Sequence, residues 1–172
     1  GWAERRGIHY GWVVVATTAS FAARWFLPRL PALQKSHAWI EVSVIAQQAV
    51  LGVAEQGADL ALRMGSGPWP DCKCEPIMDD ALCPVVNRSY WNSIGERQPS
   101  RALAKARLLH DRDPASSWEK WFVAHPLKGI DLRTGPRFTS SDLSLRAASL
   151  GLGVALAREC VAEEDLDSGL LF

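Results

Sequence analysis

The sequence has no apolar run long enough to cross a bilayer. A spanning helix needs about 20 such residues, and the longest candidate here, Trp12 to Ala16, is only as long as a strand. It has no excess of either charge, since Lys plus Arg and Asp plus Glu stand at 19 each. Nucleic-acid binders draw much of their affinity from phosphate neutralisation, so this balance argues against direct DNA or RNA contact by this segment. The eight Trp and five Phe are scattered, not interleaved with Lys or Arg as a base-stacking groove would need. A secretory leader is not expected either: Glu4, Arg5 and Arg6 are followed by no long apolar stretch.

Cysteine is scarce. Cys72-Lys73-Cys74 is too tight for a zinc knuckle, and neither Cys83 nor Cys160 completes a second ligand pair. Four reduced thiols in a cytoplasmic protein is the expectation. His9, His37, His110 and His125 are isolated. There is no Gly-x-Ser-x-Gly elbow and no phosphate-binding loop. Gly151-Leu152-Gly153 lacks the third glycine of a dinucleotide site. No catalytic residue, metal or cofactor is therefore expected. His110-Asp111 reads as a structural hydrogen bond at a strand end, and Asp79-Asp80 and Glu163-Glu164-Asp165 as solvated turns.

What is present is the composition of a globular α/β protein: 48% hydrophobic, 22% charged and mean hydropathy near zero. Trp12 to Ala16 reads as a buried strand. Ser20 is placed to cap a helical turn starting at Phe21, and Pro28 to open a second helical stretch to Ser36. Ile40 to Ile45 is a second strand, 47–56 a helix ended by Gly57, and Asp59 to Arg63 a third strand. Gly65 to Pro70 is too rich in Gly and Pro for regular structure. Strand, helix, strand, helix, strand implies crossovers on a parallel sheet.

The α/β theme then resumes. Apolar segments lie around Ile77 and over Leu82 to Val86. A loop and one short helix are expected from Ser89 to Ala104, and a strand at Arg107 to His110. Ser116 to Ala124 is a helix with Trp118, Trp121 and Phe122 on one face. Arg137 to Thr139 is a strand end, followed by a helix to about Ser149 capped by Ser140 or Ser141. Val154 to Ala157 is a strand and Glu159 to Glu164 a last helix. Two α/β lobes suggest a ligand cleft at the carboxyl ends of strands. Two junctions bring hydroxyls to helix starts: Thr18 and Ser20 in the first half, and Thr139, Ser140 and Ser141 in the second. Hydroxyls beside free N–H groups suit a carboxylate or another small polar anion, although each junction alone also reads as a plain helix cap.

Four blocks carry a family pattern. They are Ser20-Phe21-Ala22-Ala23-Arg24-Trp25-Phe26-Leu27-Pro28-Arg29-Leu30, the stretch from Gly57 to Pro70, Leu108-Leu109-His110 with Trp118 and Trp121, and Phe138-Thr139-Ser140-Ser141 through Gly151-Leu152-Gly153-Val154-Ala155-Leu156. In this order they resemble the effector domains of LysR-type transcription regulators. The nearest subgroup contains the glycine-cleavage activator and the β-lactamase regulator, and the resemblance covers roughly residues 11 to 172.

The resemblance implies a periplasmic-binding-protein-like (type II) fold of two Rossmann-like lobes, with 1–11 a linker remnant, 12–74 lobe one and 75–172 lobe two. It implies a small-molecule effector in the inter-lobe cleft that controls transcription, a homodimer, and tetramers in a full-length protein. DNA would be contacted only through a winged helix-turn-helix outside this segment. Carried over by position, the ligand-facing candidates are Thr18, Ser20, Ala46, Gln47, Arg63, Ser140 and Ser141, with Met64 and Trp69 near the rim. Two features depart from the subgroup: Gly52 stands where it usually has Asp, and Ala46-Gln47-Gln48 replaces a loop richer in Ser, Thr and Asp. The start at Gly1 and the stop at Phe172 read as cuts through a longer protein, with the family's returning strand and helix expected beyond. The open alternatives are a transporter's solute-binding protein, a small-molecule enzyme on the same scaffold, and a non-functional gene fragment.

Overall fold

The computed structural model describes residues 3–5, 8–46, 57–65, 67, 69 and 72–172. The chain forms two compact units, Gly1–Ile77 and Met78–Phe172.

The first unit is organised around one strand. β1 (Ala3–Arg5) pairs antiparallel with the start of β2 (Ile8–Thr17). β3 (Ile40–Ala46) runs parallel to β2, from Gly11 opposite Ile40 to Thr17 opposite Ala46. β4 is the short pair Leu60–Ala61, parallel to β2 at Val15 and Ala16. Val15 and Ala16 face both neighbours, so β2 lies between β3 and β4. The β-branched run Val13–Val15 suits that central place, and Val15, Ala16 and Thr17 are buried. The third strand is shorter than the Asp59 to Arg63 expected. Asp59 N–H and Leu62 N–H still donate to the carbonyls of Val14 and Ala16, but pairing stops there because β2 ends at Thr17 and turns into a helix. The expected helix at 47–56 lies outside the described residues.

After β2 the chain winds through α1 (Ala19–Phe21), one wide π turn (Ala22–Phe26), a 3₁₀ turn (Leu27–Arg29) and α2 (Leu30–Ser36). Pro28 and Pro31 cause this subdivision. Neither has an N–H to give the carbonyl four residues back, so regular α-helix cannot run through.

The second unit begins with β5 (Leu82–Val86), followed by α3 (Arg88–Ser93), α4 (Pro99–Lys105) and β6 (Leu108–Asp111). Then come a 3₁₀ turn (Pro114–Ser116), α5 (Trp118–Ala124), β7 (Arg137–Phe138), α6 (Ser141–Ser149), β8 (Val154–Arg158) and α7 (Glu159–Asp167). Two helices replace the single one expected between Ser89 and Ala104. The Asn87 side chain caps the first, accepting from Ser89 N–H and Tyr90 N–H, and Pro99 opens the second.

The sheet order is β5-β8-β6-β7. β6 is parallel to β7 and β8, while β5 is antiparallel to β8. The core joins Val86, Leu103, Leu108, Val154 and Leu156 to the buried Trp118, whose indole N–H donates to the Leu109 carbonyl at 2.8 Å. The outer edge of β5 meets the chain end, where Val86 and Phe172 exchange two backbone hydrogen bonds of 3.2 Å.

Both units share one topology. In each, three parallel strands follow in sequence, and the first of the three lies in the middle: β3-β2-β4 and β7-β6-β8. The chain leaves the middle strand to one side and returns to the other. In open α/β sheets such a reversal is where ligands bind, at the carboxyl end of the middle strand.

Candidate ligand-binding site

In the first unit the middle strand ends at Thr17. Thr18 then caps the helical turn, its hydroxyl oxygen accepting from Phe21 N–H at 3.4 Å. Ser20 had been expected to cap; it instead sits inside the turn and is buried. The backbone reason is that Thr18, not Ser20, holds the extended conformation an N-cap needs, with φ −78 and ψ 151. The parallel register sets Ala46 opposite Thr17, and Arg63 follows directly on Leu62, the last β4-side residue bonded to β2. Thr18, Ser20, Ala46 and Arg63 therefore gather at one carboxyl edge. Met64 and Trp69, which follow, are each half-buried. Gln47 lies outside the described residues.

In the second unit the middle strand ends at Asp111. Ser140 occupies the cap position of α6 but makes no side-chain cap hydrogen bond. Ser141, the first helical residue, donates its hydroxyl hydrogen to Asp111 Oδ2 at 2.6 Å. The other carboxylate oxygen, Oδ1, accepts from Asp113 N–H at 2.9 Å. Ser140, Ser141 and Thr139 thus share the edge with a carboxylate, and Asp142 adds another in the first turn of α6. The two edges differ in chemistry: the first holds Arg63, and the second is acidic. The expectation that both junctions suit an anion fits the first better than the second.

His110 is no acid–base partner for Asp111. Its buried ring places Nε2 2.8 Å from the Thr134 carbonyl, which can only accept, so Nε2 carries the hydrogen. Asp80, expected in a solvated turn, is instead largely buried. Its carboxylate accepts from Cys160 N–H and Cys160 Sγ, both at 3.2 Å, and lies 3.6 Å from Arg158 Nη1. These contacts tie the segment entering β5 to the end of β8. Burial first, and the Asp80 carboxylate second, push the Cys160 thiol up to about 12, and burial with Glu159 and Asp80 raises Cys83. Both thiols stay protonated and poorly nucleophilic at neutral pH. Among the described residues no cluster of His, Cys, Asp and Glu could hold a metal ion.

Two cavities lie elsewhere in the second unit. One of ≈ 400 Å³ is lined by Pro84, Leu103, Trp121 and His125, and one of ≈ 310 Å³ by Asn87, Tyr90, Ser93 and Ser149. Neither touches a candidate residue.

Sequence reasoning did not place Asp111 in the site; it considered this residue only as a partner of His110. The available signal was a polar residue at the carboxyl end of an apolar strand, Leu108-Leu109.

The family model for the LysR substrate binding domain matches residues 9–171. The chain is 32% identical to the HTH-type transcriptional activator AmpR of Providencia stuartii over 164 residues, covering 95% of this chain and 54% of that protein. It is 30% identical to the glycine cleavage system transcriptional activator of Escherichia coli K12, covering 94% and 52%. The chain thus spans about half the length of the curated relatives it matches. Among solved structures, the effector domain of AmpR from Pseudomonas aeruginosa superposes with a TM-score of 0.78 at 26% identity, over 94% of this chain and 77% of that one. CrgA from Neisseria meningitidis, at 17% identity, shares the fold with a TM-score of 0.77 over 95% of this chain and 55% of that one.

Proposed function

Because this chain belongs to the LysR substrate binding domain family, we propose that it is the effector-sensing part of a bacterial transcription regulator. A small polar molecule is its ligand, engaged by the Thr18–Ser20 edge and the Ser140–Ser141 edge, with Ala46, Gln47 and Arg63 contributing to the first. The observation that carries this reading is the repeated topology: each unit has a hydroxyl-bearing strand-to-helix junction among its parallel strands, after the middle strand β2 in the first unit and after β7, the neighbour of the middle strand β6, in the second.

The action proposed is binding alone. A guest that prefers one arrangement of the domain shifts the population toward it. A coupling of about 1–3 kcal/mol changes DNA affinity elsewhere in the regulator by roughly 5–150-fold. The working protein is proposed to be a cytoplasmic homodimer, tetrameric at full length, with DNA held by a separate winged helix-turn-helix. The AmpR and glycine-cleavage relatives, named as activators, support the regulatory role.

The test is a thermal-shift screen with amino acids and aromatic acids. At a hundred times its dissociation constant, a guest stabilises by about 2.7 kcal/mol, raising the melting temperature by about 5–10 °C for a chain of this size. Ser20→Ala and Ser141→Ala are each expected to weaken binding about tenfold, since one hydrogen bond to a charged group is worth roughly 1.5–3 kcal/mol. A screen in which no compound shifts the transition counts against the reading.

A further inference from the structure

The four thiols fall into two chemical classes. Cys83 and Cys160 are half-buried, and each gives its hydrogen to an acceptor: Cys83 to the Ala157 carbonyl at 3.7 Å, Cys160 to Asp80 Oδ2 at 3.2 Å. Burial raises both. Cys72 and Cys74 are exposed and stand one residue apart. Lys73 between them is exposed as well, its ammonium 2.7 Å from Glu75 Oε1. Small reagents in solvent therefore reach this pair more readily than the other.

Geometry decides whether two such thiols can join. A disulfide needs Cα atoms about 4.4–6.8 Å apart. Residues one position removed in a fully extended chain are about 6.4–6.8 Å apart, near the upper end of that range. Here the chain bends at Cys72, which shortens the span. Cys74 Sγ is turned back and donates to the Cys72 carbonyl at 3.7 Å. The second sulfur thus already lies against the residue that carries the first.

We propose that Cys72 and Cys74 form a reversible oxidation site, closing to a disulfide by exchange with a small-molecule disulfide. One thiolate attacks the reagent, which forms a mixed disulfide and releases one small thiol. The second thiolate attacks the protein-side sulfur, which forms the Cys72–Cys74 bond and releases the other small thiol. The pair gives up two electrons and two protons, and the two released thiols take them, so no further oxidant is needed. The ring is small and exposed, hence strained and easily reduced. A reducing compartment keeps it open, and a rise in small disulfides closes it. The pair lies just ahead of the boundary between Ile77 and Met78. Further along the same segment, Asp80 is held by Cys160 and Arg158. Closure fixes the bend in the segment that enters the second unit.

The test places the whole chain in buffers of reduced and oxidised glutathione. Free thiols are then alkylated in denaturant and the intact mass is read. Oxidation is expected to remove two thiols and the mass of two hydrogens, and dithiothreitol to restore both. Trypsin locates the bond, because it cuts after Lys73. The peptides on either side separate from the reduced chain and stay joined from the oxidised one, with Cys83 and Cys160 alkylated in both. Cys72→Ser and Cys74→Ser each stop at the mixed disulfide, holding one glutathione at least about ten times longer than the unmodified chain, because no neighbouring thiol displaces it.

A chain that takes up two glutathiones without an internal bond overturns the proposal. So does a bond that includes Cys83 or Cys160, a bond between two copies, or a chain that keeps all its thiols in oxidised glutathione. If a serine variant does not fold, the mass and digest of the unmodified chain decide. None of these outcomes touches the effector-sensing role, which needs no cysteine.

Discussion

Gly135 and Gly153 flank the strand that ends in Asp111, and each is there because β6 leaves no room for a side chain. A Cβ on Gly135 would lie 2.0 Å from the Leu108 carbonyl oxygen, and one on Gly153 2.3 Å from that of Arg107. Their φ angles of 105 and 156 add strain for any other residue. Both obstacles are backbone, so neither can swing aside. Gly135→Ala and Gly153→Ala are each expected to cost at least about 3 kcal/mol, lowering the melting temperature by roughly 6–12 °C. Thermal or urea unfolding checks this, and a variant as stable as the parent would show that β6 is less tightly clasped than the geometry implies. Gly153 belonged to a legible breaker pair with Gly151. Gly135 carried no such signal, because the carbonyl it faces lies 27 residues away in sequence.

Among the elements, α3 shows what local chemistry can do. Asn87 holds both ends of its contacts at once: its oxygen accepts from Ser89 N–H and Tyr90 N–H, and its amide donates to the Ser149 carbonyl at 3.2 Å. The cap therefore fastens the start of α3 to the end of α6. Asn87→Ala is expected to destabilise by about 1–2 kcal/mol, and Asn87→Asp by less, since the cap survives and only the tie to Ser149 is lost. Urea denaturation of the three proteins separates the two contributions. Strands were the more legible elements. β2, β5, β6 and β8 stand where apolar segments placed them, and β3 where apolar and polar residues alternate. β4 shrank because its partner ended, and the helical stretch after β2 broke into several kinds of turn because Pro28 and Pro31 each remove a backbone donor. The cap at Thr18 was misread as Ser20, since both are good capping residues and only the backbone angles tell them apart.

At the scale of the whole molecule, several large apolar side chains of the first unit stay in solvent: Trp12 is 56%, Trp39 47% and Leu60 48% exposed. Surface of this kind favours association. The proposed homodimer is therefore expected in sedimentation velocity at micromolar concentration, with Trp12→Lys shifting the distribution toward monomer. A single monomeric species across the concentration range would contradict it.

Residue order alone determined the α/β class, most strands and the hydroxyl-bearing junctions, and four ordered blocks carried the family. These properties are written in apolar periodicity and short motifs, which act over a few neighbouring residues. Tertiary structure decided which strand lies in the middle of each sheet, that Asp80 is buried against Arg158, and that Ser141 gives its hydrogen to Asp111 from 30 positions away. The direction of a hydrogen bond between distant residues depends on where two strand ends meet in space. No local pattern encodes that meeting, so only folding could reveal that the Ser141 hydroxyl hydrogen is committed to Asp111.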